Sequence, residues 1–306
     1  MQPFISVIIP LYNKAPYISE TVSSVLSQSL ENYELIIIDD GSTDDSVEKV
    51  KQFNDDRIKI YQQNNKGVAA ARNKGVDLAK AEYIAFLDAD DYWDSTHLET
   101  LKTSITKFPD AGLFCNNYKI NYNGTFATAS KINVNTIKPI LIEDYFKASK
   151  YDSLAWTSAV AIPKLVFLNI GGFNSDLKTG EDLDLWIRLA LNYKVVFNPK
   201  STMIYNKHVE NSLSKNNLVE SRLHFFELHK QNESHNSSLK TYLDKKRYEM
   251  ALRAKLRDDD KTFTRLKQDI YITNLNTMQK LALNTPRIIL QLLYNIKQMG
   301  KNNSVS

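Results

Sequence analysis

Glu82-Tyr-Ile-Ala-Phe-Leu87 runs straight into Asp88-Ala-Asp-Asp91. The first six residues form a short apolar run, which predicts a strand buried on both faces. The next four positions hold three carboxylates, which repel one another unless a cation neutralises them. Residues 88 and 90 share a side in an extended backbone. Hard oxygen ligands of this kind suit Mg2+ or Mn2+, commonly held by one or two carboxylates together with substrate phosphates. Considered alone, the cluster reads first as a solvated turn or a helix start, with Asp91 or Asp94 as the cap. Its place at the end of a buried strand favours a binding site.

The flanking sequence repeats that arrangement. Phe4 to Pro10 and Glu34 to Ile38 predict buried strands, and Arg57 to Gln62 a third. Between them, Lys14 to Gln28 has Ile18, Val22, Val25 and Leu26 at helical spacing, a helix starts near Asp45, and Gly67 to Ala79 is an alanine-rich helix. Alternating strands and helices predict an α/β fold with a mostly parallel sheet flanked by helices. Ligands then sit beyond the carboxyl ends of the strands. Three strands end in polar segments: Pro10-Leu-Tyr-Asn13, Asp39-Asp40 and Asp88-Ala-Asp-Asp91. Asp39 and Asp40 suit hydrogen bonds from a base or ribose, but Asp39-Asp-Gly-Ser-Thr-Asp44 is equally a plain turn whose Ser and Thr cap the next helix. Arg72 lies among small residues that let a helix approach a sheet or ligand closely, and it suits an acid, a nucleotide or the bare surface.

Further on, Ala111 to Asn116, Ala159 to Ile162 and Val195 to Asn198 predict strands, and Glu181 to Leu191 a helix. After Leu213 glycine vanishes until Gly300, and helices are expected near 216–231, 238–257, 261–270 and 276–299. The 306 residues, 42% hydrophobic and 24% charged, allow one large domain plus an appendage. The net charge of +4 hides an asymmetry: residues 215–306 carry seventeen basic and nine acidic residues, and the rest is acidic. The lone Cys115 excludes an intramolecular disulfide and a cysteine-rich metal site, and fits a reducing compartment. No leader and no apolar run of about 18 residues is visible, so a cytoplasmic location is expected.

Taken together, Ser6-Val-Ile-Ile-Pro-Leu-Tyr-Asn13, Ile36-Ile-Ile-Asp-Asp-Gly-Ser-Thr-Asp44, Gly67-Val-Ala-Ala-Ala-Arg-Asn-Lys-Gly75, Phe86-Leu-Asp-Ala-Asp-Asp91, Ile170-Gly-Gly-Phe173 and Gly180-Glu-Asp-Leu-Asp-Leu-Trp-Ile-Arg-Leu189 resemble glycosyltransferase family 2. The resemblance covers about residues 4–212 and leaves the tail uncovered. It implies a GT-A catalytic domain over 1–212, with a nucleotide-sugar half at about 1–95, an acceptor half at about 96–212, and a helical, basic C-terminal region over 213–306. It implies a nucleotide-diphosphate sugar donor, with a UDP-sugar favoured, and a divalent metal, Mn2+ or Mg2+. Pro10, Tyr12 and Asn13 match the first donor-binding segment. Asp39 and Asp40 match the acids near base and ribose, with Asp39 the choice for uracil. Arg72 matches a contact to the base or an adjacent acid. Asp88, Ala89 and Asp90 match the family's D-x-D, whose second acid meets the metal. Glu181 and Asp182 match the pair containing the catalytic base, and His208 matches a late histidine that completes the metal or diphosphate site.

The implied reaction is inverting: Asp182 takes a proton from an acceptor hydroxyl as it attacks the anomeric carbon, and a nucleoside diphosphate leaves. Asp184 is the competing acid, on another side of the helix. Trp156 and Glu181 are candidate acceptor contacts, although a core tryptophan would look the same as the first. The acceptor is expected to be a glycan or a lipid-linked sugar; no nucleic acid is expected. A Q-x-x-R-W motif is absent, which fits single addition rather than processive synthesis. The tail suits a helical subdomain, a homodimer contact, or a basic amphipathic anchor at the inner face of a membrane, through Lys245-Lys-Arg247, Arg253, Lys255, Arg257 and residues 286–299. Three classes compete with an enzyme of this family, and one of them, a sugar nucleotidyltransferase, lacks here its usual glycine-rich N-terminal loop with a basic residue. A dinucleotide oxidoreductase is rejected, because no G-x-G-x-x-G follows the first strand. A non-catalytic sugar-binding protein of the same fold is disfavoured by the intact acids.

Overall fold

The computed structural model describes residues 2–122, 124–128, 136–150, 152–207 and 219–292. The chain divides into two compact units, Met1–Phe225 and Phe226–Ser306. In the first unit the described strands are β1 (Ile5–Leu11), β2 (Tyr33–Asp39), β3 (Ile58–Gln62), β4 (Tyr83–Phe86), β5 (Tyr92–Trp93), β6 (Leu113–Tyr122), β7 (Thr125–Thr128), β8 (Ile140–Ile142), β9 (Val160–Pro163) and β10 (Val195–Asn206). Helices α1 (Ile18–Leu26), α2 (Ser46–Lys51), α3 (Val68–Leu78), α4 (His97–Lys107), α5 (Tyr145–Ala148), α6 (Lys164–Asn169) and α7 (Glu181–Asn192) connect them. The strand order is β3-β2-β1-β4-β9-β6-β10-β5, with β7 beside β6 and β8 beside β10. Strands β3, β2, β1 and β4 run parallel, as do β6 and β10, while β9 is antiparallel to both neighbours. This is the mostly parallel, helix-flanked sheet that the alternating pattern predicts.

The sheet's centre forms because β1 and β4 are apolar at nearly every position, as a strand covered on both faces must be. Helix α1 buries Ile18, Val22 and Val25, one stripe at helical spacing. Helix α3 approaches more closely: a Cβ added at Gly75 would collide with the Ile8 side chain. The small residues of 67–75 therefore set the distance between α3 and β1. Register aligns the strand ends, pairing Leu11 with Asp39 and Ile8 with Phe86. The polar segments after β1, β2 and β4 thus share one edge, where this topology places ligands.

Several elements differ from expectation. Strand β10 continues to Asn206, well beyond Asn198, because its ladder with β6 shifts register between Asn198 and Ser201 and again before Met203. Such irregularities carry Pro199 and Lys200, which break the apolar pattern. Neither Asp91 nor Asp94 is the N-cap of α4: that position is Thr96, whose backbone N–H and hydroxyl both donate to Asp94. Asp91 is buried instead.

Helix α8 (Val219–Leu228) crosses the division between units. The second unit contains α9 (Lys230–His235), α10 (Ser237–Leu256), α11 (Asp260–Asp269) and α12 (Thr277–Asn284). Asn236, Asp259 and Asn276 cap the last three, and Gln279 completes a capping box with Asn276. The helix expected over 276–299 is broken: Thr285 turns extended (ψ 133°) before Pro286, which disfavours helical backbone at the preceding residue. Helical backbone resumes at residues 287–292. The basic tail is also less exposed than expected, because Arg247 is fully buried and paired with Glu233. Among the described residues no helix is long and apolar enough to cross a membrane. The expected division at 212/213 and His208 fall in residues 208–218, outside the described residues, as do positions 293–299 of the tail helix.

Candidate active site

The exit from β1 is built by backbone groups seeking acceptors. Asn13 turns left-handed (φ 50°), a conformation that asparagine tolerates. Its N–H donates to Ser42 Oγ at 3.1 Å, and its Oδ1 accepts from the Thr43 N–H at 2.8 Å. The Lys14 N–H donates to Ser46 Oγ (2.8 Å) and the Ala15 N–H to Asp44 Oδ2 (3.0 Å). Ser42 and Thr43 therefore hold the β1 exit and do not cap α2, whose N-cap Asp45 makes no side-chain cap bond. Pro10 is buried in β1, and Tyr12 stands 46% exposed beyond it.

Asp39 and Asp40, neighbours in sequence, have different surroundings. Asp40 accepts from Gln63 Nε2 (2.7 Å), the Lys66 N–H (2.8 Å) and the Gly67 N–H (2.8 Å), and so ties down the loop that opens α3. Asp39 Oδ1 accepts from the Ser42 N–H at 3.0 Å, while among the described residues its Oδ2 has a long 3.4 Å contact from Gln62 Nε2. Asp39 keeps acceptor capacity that Asp40 has spent on the fold.

Beyond β4, the three acids of 88–91 separate by role. Asp88 Oδ1 accepts from Arg72 Nη2 at 2.7 Å. Arg72 Nη1 donates to Glu181 Oε1 at 3.0 Å, so one buried guanidinium joins the end of β4 to the start of α7. Among the described residues its Nε finds no partner, and the guanidinium lies 5.1 Å over the Phe173 ring. Asp90 Oδ2 meets Lys14 Nζ at 2.7 Å. Asp91 Oδ2 accepts from the Ser158 hydroxyl (2.7 Å) and Oδ1 from the Asn206 N–H (3.1 Å), which fastens the loop to the 3-10 turn Thr157–Ala159 and to β10. Asn206 Nδ2 also donates to the Asp90 carbonyl at 2.7 Å, and the Thr21 hydroxyl donates to the carbonyls of Ala89 (3.0 Å) and Asp91 (2.8 Å).

On α7, Gly180 takes the left-handed N-cap (φ 82°) and the first turn carries Glu181, Asp182 and Asp184. Asp184 is held by Arg188 (2.6 and 2.9 Å), which also donates to the carbonyls of Ile170 and Gly172. Asp184 thus fixes the Ile170-Gly-Gly-Phe173 turn. Asp182 Oδ1 accepts the neighbouring Leu183 N–H at 2.7 Å.

Among the described residues the site holds more acidic than basic side chains. Burial, the Asp182 charge and an opposing Arg72 leave the Glu181 carboxyl pushed up to about 7. Burial also raises Asp182, against its backbone hydrogen bond and Arg72, with the Asp88 charge adding to the rise. Asp90 is raised by burial, with Lys14 opposing and Asp88 reinforcing. Asp91 rises well above the carboxylate range through burial and the charges of Asp90 and Asp88. Burial disfavours charge on Arg72, but Asp88 and Glu181 outweigh it and raise the guanidinium above its ordinary value.

Among the described residues, no group of three His, Cys, Asp or Glu could hold a metal ion. Asp88 and Asp90 are hard donors, each with one oxygen engaged by a cationic side chain. That donor set fits a divalent ion that takes one or two carboxylates and completes its shell with phosphate and water, and does not fit a closed protein cage.

Trp156 is partly buried, with ring centroids 5.1 Å from Tyr118 and 4.5 Å from Tyr205. Sequence reasoning missed Lys14, although it directly follows Tyr12-Asn13 at a strand end. Ser158 and Asn206 gave no local signal, because their partner Asp91 lies 67 and 115 positions away.

A glycosyltransferase of Rickettsia felis is 33% identical over 195 residues, which are 61% of this chain and 30% of the relative. The UDP-Glc:alpha-D-GlcNAc-diphosphoundecaprenol beta-1,3-glucosyltransferase WfgD of Escherichia coli is 39% identical over 137 residues, 44% of this chain and 54% of the relative. The chain thus spans between about a third and about a half of the length of these curated relatives. The S. aureus TarS 1-349 crystal structure in complex with UDP-GlcNAc superposes with a TM-score of 0.61 at 21% identity, covering 72% of this chain and 65% of that one, a likeness of fold. The family model of glycosyl transferase family 2 matches residues 6–169, from β1 through α6 and including Asp39, Arg72, Asp88 and Asp90. A match over more than half of the chain, on the fold such enzymes share, makes this protein a member of glycosyl transferase family 2.

Proposed function

We propose that this chain is an inverting, non-processive glycosyltransferase that moves a sugar from a UDP-sugar to a hydroxyl of a glycan or lipid-linked acceptor in surface polysaccharide synthesis. The observation that carries the reading is the Arg72 bridge: it joins Asp88, in the D-x-D segment, to Glu181, beside Asp182. A donor group and a base group are thereby linked through one guanidinium. WfgD is named for a UDP-Glc donor and a diphosphoundecaprenol acceptor, and the TarS structure holds UDP-GlcNAc; both support a UDP-sugar here.

In this reading Tyr12 and Asp39 frame the base, with the underused Asp39 Oδ2 accepting from uracil. Pro10 and Asn13 shape that wall, Asp40 positions the loop beside it, and Asp88 and Ala89 line the ribose and diphosphate. Asp90, with His208 as a further candidate, would hold a Mn2+ or Mg2+ ion. Such an ion supplies electrostatic stabilisation to the leaving diphosphate. Among the described residues Asp182 makes no ion pair, and in this reading it takes the acceptor proton. Its raised pKa means that the base is ionised only above the ordinary aspartate range, so kcat falls as pH drops through that higher value. Glu181 and Trp156 belong to the acceptor side. Residues 1–212 act as the catalytic region, and the helices after 212 are accessory.

Asp182→Asn is the direct test: transfer is lost while calorimetric UDP affinity stays. Near-normal transfer by that variant overturns the base assignment. For the second unit, Met278, Leu281, Ile288, Ile289 and Leu292 are exposed in a stretch, 270–306, that holds no acidic residue. We read it as a contact for an anionic membrane surface, at the cytoplasmic face. Flotation with phosphatidylglycerol vesicles that fails, while sedimentation reports a dimer, assigns that face to a second copy instead.

A further inference from the structure

We infer that Lys14 competes with the divalent ion for Asp90 and, once displaced, becomes a binding group for the donor's diphosphate. The inference rests on Asp90 being the metal ligand. Both partners are set in place by their backbones. The N–H groups of Asn13, Lys14 and Ala15 each donate to the Ser42–Ser46 segment, and the Lys14 carbonyl accepts from the N–H groups of Tyr17 and Ile18 to open α1. Around Asp90, the Thr21 hydroxyl holds the flanking carbonyls and Asn206 Nδ2 holds its own. The backbone that carries the carboxylate therefore stays where it is, while the lysine's four-carbon stem is free to swing.

Lys14 Nζ and Asp90 Oδ2 lie 2.7 Å apart, with side chains only 15% and 17% exposed. Two cations cannot both take that oxygen without repelling each other in a partly desolvated site, where a like charge a few ångströms away is poorly screened. A divalent ion on Asp90 accordingly pushes the ammonium aside. The Tyr17 ring lies near it, 5.9 Å from Nζ, as an alternative neighbour. The released ammonium remains at the strand-end edge beside Asp90, where the phosphates of a metal-bound donor belong, and a lysine there acts as a point charge on an anion. Lys14 thus ties metal binding and nucleotide binding to one exchange of partners.

The two halves of that exchange predict opposite signs for one substitution. Lys14→Met should bind Mn2+ alone about ten-fold more tightly, because the competing cation is gone. The same variant should bind UDP at saturating Mn2+ about ten-fold more weakly, because an ion pair to phosphate is gone. Manganese binding is read by the free-ion electron paramagnetic resonance signal, UDP by calorimetry, and Lys14→Arg should restore both towards wild type. Weakening of both affinities together indicates a merely structural lysine and overturns the inference, as does unchanged Mn2+ affinity. Wild-type protein that binds Mn2+ in an Asp90→Asn-sensitive way, with Lys14→Met unchanged, refutes the exchange alone. Wild-type protein whose Mn2+ binding is indifferent to Asp90→Asn refutes the metal reading and the inference with it.

Discussion

The two units each bury a cluster of charges, and the clusters differ in balance. In the second unit, Arg247 clamps Glu233 with two bonds (2.6 and 2.9 Å) and reaches Asp244 at 3.2 Å. Lys240 pairs with Asp244 and donates to the Asp269 carbonyl at 2.6 Å. Asp244 Oδ2 accepts from the Tyr271 N–H (3.1 Å) and Asn274 Nδ2 (2.7 Å). Two cations meet two carboxylates, all four side chains are buried, and Asp244 uses both its oxygens within the protein. In the first unit, Arg72 faces Asp88, Glu181 and the charge of Asp182, and among the described residues those acids outnumber the cation between them. Balanced charges fasten helices; unbalanced ones keep capacity for a ligand. The same contrast separates Asp40, Asp91 and Asp184, each engaged by the fold, from Asp39, Asp90 and Asp182, which retain acceptor capacity or a replaceable partner.

The largest effect should come from the unbalanced cluster. Asp182→Asn is expected to lower transfer by about 10²–10⁴-fold, the usual range for general-base help, with UDP affinity unchanged. A steady-state assay beside calorimetry reads both. Arg247→Met should cost about 3–5 kcal/mol in urea unfolding, because it strands buried carboxylates. Arg72→Met should cost less, since Asp88 is 32% exposed and the Glu181 carboxyl, already near 7, can take a proton. Equal costs for the two arginines would break the comparison.

A smaller effect concerns pH. The Glu181 carboxyl is raised from 4.5 to about 7 in the folded protein. A raised carboxyl contributes stability below its unfolded pKa, and that contribution is lost as pH rises through the folded value. Glu181→Gln should therefore flatten the decline of the unfolding midpoint between about 4.5 and about 7. A wild-type-like slope in the variant would assign the decline to other groups.

Much of the first unit was legible because parallel strands covered on both faces are apolar at nearly every position. Ile5–Leu11 and Tyr33–Asp39 announce themselves, and the acids at their ends stand out against them. What stayed hidden depends on partners distant in sequence. Asp91 looks like its neighbours Asp88 and Asp90, and only Ser158 and Asn206 reveal it as a structural acid. Arg247 looks like part of a basic surface run, yet Glu233 draws it inside. The outer half of β10 was missed because a register shift places polar residues in a strand. Lys14 reads as the first residue of a helix until Asp90 is set against it.

The central claim is that the unbalanced acids at the strand ends cradle a metal-bound nucleoside diphosphate. It is tested most directly by titrating UDP into wild-type and Asp90→Ala protein, each with and without Mn2+, in a calorimeter. The account predicts that Mn2+ strengthens UDP binding to the wild type and that Asp90→Ala abolishes this strengthening. Equal Mn2+ dependence in the two proteins would contradict it.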